Sequence, residues 1–208
     1  MNSKKKTIKI IIGYMIFSVI ISITNSCGGN PDYYRLTSIS SQLLKITGLK
    51  TVGSAQIKSY SVERINNLED TLQIRFDSVG IEINTEKLLA QSTIMQNNYL
   101  GIQSAYALEK KVEYEKIVDV IITSNKDYNS LYPAGANLKG IFMLSEQHYV
   151  TGASVDAFLQ RYDAGVPIVL YKLLFAPDKE EVHTIKIKYI TENNCEYETV
   201  VKNLLILK

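Results

Sequence analysis

Tryptophan is absent from this sequence, and histidine and cysteine each occur only twice in its 208 residues. The absence of tryptophan counts against a strong platform for stacking sugar rings. Two histidines, His148 and His183, are too few for a histidine-rich metal site, and we expect His183 to be a surface residue of an alternating strand. The nucleophile-elbow pattern GxSxG does not occur either. These absences leave little support for an enzyme built on a familiar motif.

The charge balance excludes one class of partner. The formal net charge is +2, but residues 1–26 carry four lysines and no acid, which leaves 19 basic and 21 acidic side chains, or −2, in the remainder. Charges of opposite sign alternate along the chain instead of forming blocks. We therefore expect no nucleic-acid binding.

The first residues have the pattern of an export signal. Four lysines precede an apolar run from Ile10 to Ile23, and the polar residues 24–26 end it. A membrane-spanning helix needs about 20 apolar residues. The run is shorter than that, so it predicts a signal peptide of residues 1–26.

Cys27, preceded by the small Ser26 and followed by Gly28 and Gly29, resembles the lipobox of bacterial lipoproteins. In that family the cysteine thiol takes a diacylglycerol and the chain is cut just before it. A cysteine sulfur is a good nucleophile for this alkylation, and two glycines give a flexible tether. The resemblance implies attachment to a membrane through acylated Cys27, with residues 27–34 as a tether. Ordinary signal cleavage and an uncleaved anchor are the alternatives.

Acylation of Cys27 would leave Cys195 as the only free thiol. No disulfide could then form within the domain, so packing must stabilise it. Cys195 lies in the turn-like stretch TENNCEYE, where an incidental thiol is the simpler interpretation. Pairing of Cys195 between two molecules is the alternative.

The rest of the chain alternates with the period of β-strands. The patterned stretches are TLQIRF, EYEKIVDVIITS, VPIVLYKLLF and VHTIKIKYI. We expect the second to be buried on both sides near its middle and the third to be a central strand. The fourth alternates Ile185, Ile187 and Tyr189, and it returns as EYETVVKNLLIL after a turn at Asn193 and Asn194, which predicts a β-hairpin.

Two short stretches have helical signals. TEKLLAQSTIMQNN follows Asn84, and SVDAFLQRYDAG begins with Ser154 as a helix cap and ends at Gly165. Many strands with few helices predict an all-β protein, an immunoglobulin-like β-sandwich with one or two short helices, formed by residues 35–208 as a single domain.

Two segments carry a family resemblance. The stretches TSNKDYNSLYPAGANLKGIF, Thr123–Phe142, and VPIVLYKLLFAPDKEEVHTIKIKYI, Val166–Ile190, are similar to segments of small lipoproteins of unknown function from Bacteroidota. The resemblance implies a bacterial cell-envelope lipoprotein, lipid-anchored in the outer membrane, with its periplasmic or surface face undecided. It supplies no catalytic residues. In physical terms the first segment predicts a long loop with a tight turn at Pro133 and Gly135.

The same loop offers a candidate calcium site. Asn125, Asp127 and Asn129 alternate as the first ligands of a calcium loop do, but Ser130 replaces the expected glycine and Ala136 the closing glutamate. We therefore expect these side chains to hydrogen-bond nearby backbone, and we predict no metal and no cofactor.

Two further groups of residues have candidate roles. Ser145, Glu146 and His148 are close in sequence and suggest a hydrolase, although triads are assembled from distant residues. We expect Tyr128 and Tyr132 to be exposed in the long loop, where they are candidate ligand contacts, because tyrosine suits recognition of proteins and glycans. Tyr33 and Tyr34 at the tether are weaker candidates of the same kind.

The leading hypothesis is a non-enzymatic binding or interaction module whose partner is an envelope protein or a glycan. Its alternatives are a structural subunit that assembles by strand addition through exposed sheet edges and a small envelope hydrolase.

Overall fold

The computed structural model describes residues 32–53, 56–66, 71–91, 112–160 and 168–208. Cys27 and the predicted signal peptide lie outside them. The chain divides into two units, one comprising Met1–Tyr33 with Ala90–Glu113 and the other Tyr34–Leu89 with Tyr114–Lys208. Nearly all described residues belong to the second unit, and the predicted domain limits stay a prediction.

The described residues form eleven strands, one α-helix and two 3-10 turns. The strands are β1 Asp32–Val52, β2 Ile57–Arg64, β3 Leu72–Arg75, β4 Val79–Gln91, β5 Val112–Tyr114, β6 Ile117–Ser124, β7 Phe142–Glu146, β8 Ala153–Ser154, β9 Ile168–Leu173, β10 Val182–Thr191 and β11 Glu196–Leu207. The helix is α1, Val155–Leu159, and the 3-10 turns are Phe76–Ser78 and Lys139–Ile141.

The strands form two sheets. The larger has the order β2-β1-β4-β9-β7-β8, with β5 also paired to β1, and the smaller has the order β3-β11-β10-β6. The letters B to G of an immunoglobulin-like sandwich can be assigned, in chain order, to β4, β6, β7, β9, β10 and β11. The larger sheet then contains the neighbours B-E-D and the smaller sheet C-F-G, which is the arrangement of immunoglobulin-like sandwiches. The predicted all-β sandwich is confirmed.

The core lies between the two sheets, where alternate residues of each strand are buried. Ile81 and Tyr171 of the larger sheet and Ile187 and Tyr189 of the smaller are at most 2 % exposed. The Tyr171 hydroxyl donates a 2.7 Å hydrogen bond to the Tyr189 hydroxyl, and burial raises the pKa of both side chains. A hydrogen bond between side chains of two sheets satisfies polar atoms that burial would otherwise leave costly.

Three local predictions are confirmed. β10 and β11 pair as an antiparallel hairpin, and Asn194 in its turn has a φ of 58°, which asparagine tolerates. In the long loop Gly135 has a φ of 80°, and Ala136 N–H donates to Pro133 O at 2.9 Å, which fits a type II turn. The Ser154 hydroxyl caps α1 by accepting from Ala157 N–H, whereas α1 ends at Leu159 and the predicted stop, Gly165, lies outside the described residues.

Three elements differ from the sequence predictions. Residues 85–91, predicted to start a helix, continue β4, because pairing inside the sheet overrides a weak helical pattern. β6 was predicted to be buried on both sides near its middle, but it forms an edge of the smaller sheet, and Ile121 on its outer face is only half-buried. β1 already begins at Asp32, within the predicted tether.

Candidate functional site

The long loop after β6 is held by its own polar side chains. Asn125 Oδ1 accepts from Thr184 N–H at 2.6 Å, and Asp127 Oδ1 accepts from Ala134 N–H at 2.7 Å. Asn129 Oδ1 accepts from two backbone N–H groups, each at 3.0 Å. The prediction that these three side chains cap the backbone is confirmed. Oxygens engaged in this way are not arranged as ligands around a cation.

The two loop tyrosines differ in their surroundings. Tyr128 was predicted to be an exposed ligand contact, and its exposure was predicted wrongly: the ring is 0 % exposed, and its hydroxyl donates to Phe175 O at 2.6 Å. Burial also raises the Tyr128 pKa. Tyr132 is half-buried and packs against the core. Tyr34 stacks on Tyr114 with ring centroids 5.5 Å apart, so ligand contact by Tyr132 or Tyr34 stays a prediction.

His183 is another correction. It was predicted on the surface, but it is 0 % exposed and lies beside the Tyr128 ring at the base of the long loop. His183 Nδ1 and the Ser124 hydroxyl are 2.9 Å apart, while Nε2 has no hydrogen-bond partner among the described residues. Lys126 N–H donates to the same Ser124 hydroxyl. The pair therefore joins β6, β10 and the loop inside the core.

We expect His183 to weaken the protein in acid. Burial, only partly opposed by Glu181, lowers the His183 pKa from its ordinary 6.5, so the unfolded state takes up a proton first as the pH falls below about 6.5. The free energy of unfolding should therefore fall by about 1 kcal/mol more between pH 7.5 and 5.5 in wild type than in His183→Gln. Urea titrations at both pH values measure this, and equal losses in the two proteins would contradict it.

A second, smaller core lies on the other side of the larger sheet. The hairpin of β1 and β2 crosses this outer face, and Leu44, Tyr60 and Leu170 are buried beneath it. The edge of β2 that faces away from β1 is hydrogen-bonded to the segment after β7. Tyr60 N–H donates to His148 O at 2.7 Å, and Val150 N–H donates to Lys58 O at 3.1 Å. The outer edge of the hairpin is therefore fixed at Lys58 and Tyr60.

The outer face carries a buried carboxylate that the sequence analysis missed. Glu82, 1 % exposed, pairs with His148 Nε2 at 2.7 Å, and its other oxygen lies 3.3 Å from Asn84 Nδ2 and 3.5 Å from Arg64. His148 is 25 % exposed and Arg64 61 %. The site thus presents an imidazole and a guanidinium to solvent above a buried glutamate side chain. Glu82 interrupts the apolar run VGIEI, and this interruption was the available signal.

The hydrolase hypothesis gains a histidine–carboxylate pair but no nucleophile. Ser145 is buried and lies in the same cross-strand row as Glu82, with Leu170 between them. The Ser59 hydroxyl donates to His148 O at 3.0 Å instead of to the ring. Among the described residues, no hydroxyl or thiol is hydrogen-bonded to the His148 ring. The geometry can orient an imidazole, and it places no attacking group beside it.

Other candidate chemistry is sparse in the described part of the chain. Its residues contain no group of three histidine, cysteine, aspartate or glutamate side chains that could hold a metal ion. None of its helices is long and apolar enough to span a membrane. Cys195 is a half-buried free thiol, and Cys27 lies outside the described residues.

Comparison with known proteins adds no relative. No protein-family model, no curated protein and no solved structure matches the chain.

Proposed function

We propose that this protein is a bacterial cell-envelope lipoprotein, held on the outer membrane by acylated Cys27, whose β-sandwich is a non-enzymatic binding or interaction module. The observation that carries the proposal is the leader: four lysines, an apolar run too short to span a bilayer, and Cys27 followed by two glycines. The β-rich structure is compatible with a module that recognises partners through loops on a rigid scaffold.

The spacing between Cys27 and the first strand limits how far the domain can be from its anchor. β1 begins at Asp32, and a fully extended chain spans about 3.3–3.6 Å per residue. The link from Cys27 to Asp32 therefore reaches at most about 18 Å. A domain on so short a link would stay at the membrane surface, close to neighbouring envelope components.

The test is removal of the acylated thiol. In cells fed radiolabelled palmitate, we expect Cys27→Ala to lose both the label and membrane association, because several acyl chains are needed for lasting attachment. Cys195→Ala is the matched control, since Cys195 is the only other cysteine, and it should keep both. Palmitate label retained by Cys27→Ala would contradict the proposal.

The face of the membrane needs a separate measurement. Protease added to intact cells would digest a surface-displayed domain, and its partners would then be sought among external proteins and glycans. Protection until the cells are lysed would place the domain in the periplasm, where other envelope proteins are the first partners to seek.

The described sheet edges favour a binding module over assembly by strand addition. β3 has four residues and β8 two, and the outer edge of β2 is already bonded to residues 148–150. On β6, the Ile122 carbonyl accepts from Leu138 N–H at 2.7 Å and the Ser124 carbonyl from Gly135 N–H at 2.8 Å. Short or occupied edges are how sheets avoid pairing with a neighbour.

A further inference from the structure

The far end of the β1–β2 hairpin exposes apolar side chains. Leu49 is 61 %, Val52 43 % and Ile57 46 % exposed, and Val52 pairs directly with Ile57 across the two strands. Residues 54 and 55 of the connecting turn lie outside the described residues. We name the three apolar residues, together with Lys50 and Lys58, the hairpin tip.

The structure explains why the hairpin tip does not fold down onto the sheet. At the other end of the hairpin, Leu44, Ile46 and Val62 belong to the small core. Beside the tip, β2 is fixed through the backbone of Lys58 and Tyr60, which bonds residues 148–150. The tip is thus an extension of a fixed hairpin, so its apolar side chains stay outside the small core. A group of exposed apolar residues on such a support is typical of an interaction site.

The charge around the tip indicates what it contacts. Residues 33–62 contain Arg35, Lys45, Lys50 and Lys58 and no aspartate or glutamate, although the chain from Cys27 onward carries a formal charge of −2. In the described part of the chain neither Lys50 nor Lys58 has an ion-pair partner. The apolar tip is therefore flanked by lysines with no acid nearby in sequence.

We propose that the hairpin tip inserts into the headgroup region of an anionic lipid membrane. Leucine, valine and isoleucine side chains gain by entering the boundary between headgroups and acyl chains. Lysine side chains extend their ammonium groups to the anionic headgroups while their methylene stems cover apolar surface. A protein partner would have to match apolar residues on both faces of a narrow hairpin, whereas a lipid surface accommodates them without a fixed shape. The tip would be a second membrane contact beside Cys27.

The absence of tryptophan from the chain provides the experiment. The full chain carrying Leu49→Trp is mixed with an excess of vesicles of equal parts phosphatidylglycerol and phosphatidylcholine, with brominated acyl chains as quenchers. We expect a blue-shifted, quenched emission in these vesicles and an unquenched emission in pure phosphatidylcholine. Leu131→Trp is the matched control, because Leu131 is 80 % exposed but lies in the long loop, and it should stay unquenched.

The lysines are tested in the Leu49→Trp background. Each lysine near an anionic surface contributes about fivefold to binding, so Lys50→Gln with Lys58→Gln should lower the ratio of inserted to free tip by about 25-fold. An unquenched Leu49→Trp in anionic vesicles would overturn the proposal, as would equal quenching of Leu131→Trp or no effect of the lysine changes. Excess vesicles let the tip reach lipid whether or not Cys27 is acylated. Failure of the anchor is seen separately, in the palmitate label.

Discussion

Replacing Tyr128 with alanine should lower the free energy of unfolding by about 3–5 kcal/mol, the range for removing a large buried aromatic ring. The ring is 0 % exposed and lies beside His183 in the core. Its backbone N–H and carbonyl bond Tyr132 and Asp178, so the residue also joins the long loop to the loop before β10. Urea unfolding followed by circular dichroism measures the loss.

Two control variants separate the ring from the hydroxyl and from the loop. Tyr128→Phe keeps the ring and removes the bond to Phe175 O, so it should cost only about 1 kcal/mol. Leu131→Ala changes a side chain that is 80 % exposed and should stay within about 0.5 kcal/mol of wild type. If Tyr128→Ala is as stable as Leu131→Ala, the core role of Tyr128 is wrong and a role in ligand contact regains support.

The sequence predicted the parts of the fold that local pattern determines. Alternation along VHTIKIKYI and the asparagines after it place β10, its turn and β11 correctly, because strand period and turn chemistry are short-range properties. The same period also places His183 on the face of Ile185 and Ile187, so the buried position of His183 was predictable. A polar residue on the apolar face of a strand is the signal that was passed over.

The parts that were missed depend on contacts between distant residues. Tyr128 is held in the core by hydrogen bonds to the backbone of Phe175 and Asp178, which lie 47 and more residues along the chain. Glu82 meets His148 across 66 residues, and no local pattern reports that partner. The small core on the outer face has the same origin, since it exists only when the hairpin of β1 and β2 crosses the sheet. Sequence period identifies a strand's faces, but it does not show what covers each face.

The two ends of β1 have different roles in the proposed attachment to the membrane. Near its start β1 is joined to the sandwich through Leu36, and at its far end the strand carries the apolar and basic hairpin tip. If the chain is anchored through Cys27, any pulling force from the membrane acts first on the start of this strand. The bonds made by Leu36 therefore contribute to how firmly the anchored segment is joined to the domain.

Those bonds come mainly from side chains. Leu36 N–H donates to Glu115 Oε2 at 3.0 Å, and Leu36 O accepts from the Tyr197 hydroxyl at 2.6 Å. The other Glu115 oxygen accepts from Asn193 Nδ2 at 2.9 Å in the β10–β11 turn. Glu115 is 0 % exposed, so this one carboxylate joins β1 of the larger sheet to the hairpin of the smaller one.

Glu115→Ala should lower the free energy of unfolding by about 2–3 kcal/mol, because a buried N–H left without an acceptor costs about 1–3 kcal/mol and the Asn193 bond is lost as well. Amide hydrogen exchange at Leu36 should accelerate in the same variant, since its N–H donates to the removed carboxylate. Urea unfolding and exchange measured on the same sample test both effects.

Glu115→Gln is the control that keeps the shape of the side chain. The amide oxygen of the introduced glutamine can accept from Leu36 N–H. Its NH₂ group can donate to Asn193 Oδ1 if the exposed side-chain amide of Asn193 rotates by half a turn. We therefore expect a loss of about 1 kcal/mol or less, with slow exchange at Leu36. Equal losses for alanine and glutamine would mean that the negative charge stabilises this junction, whereas no loss for alanine would mean that β1 is held at its start by other contacts.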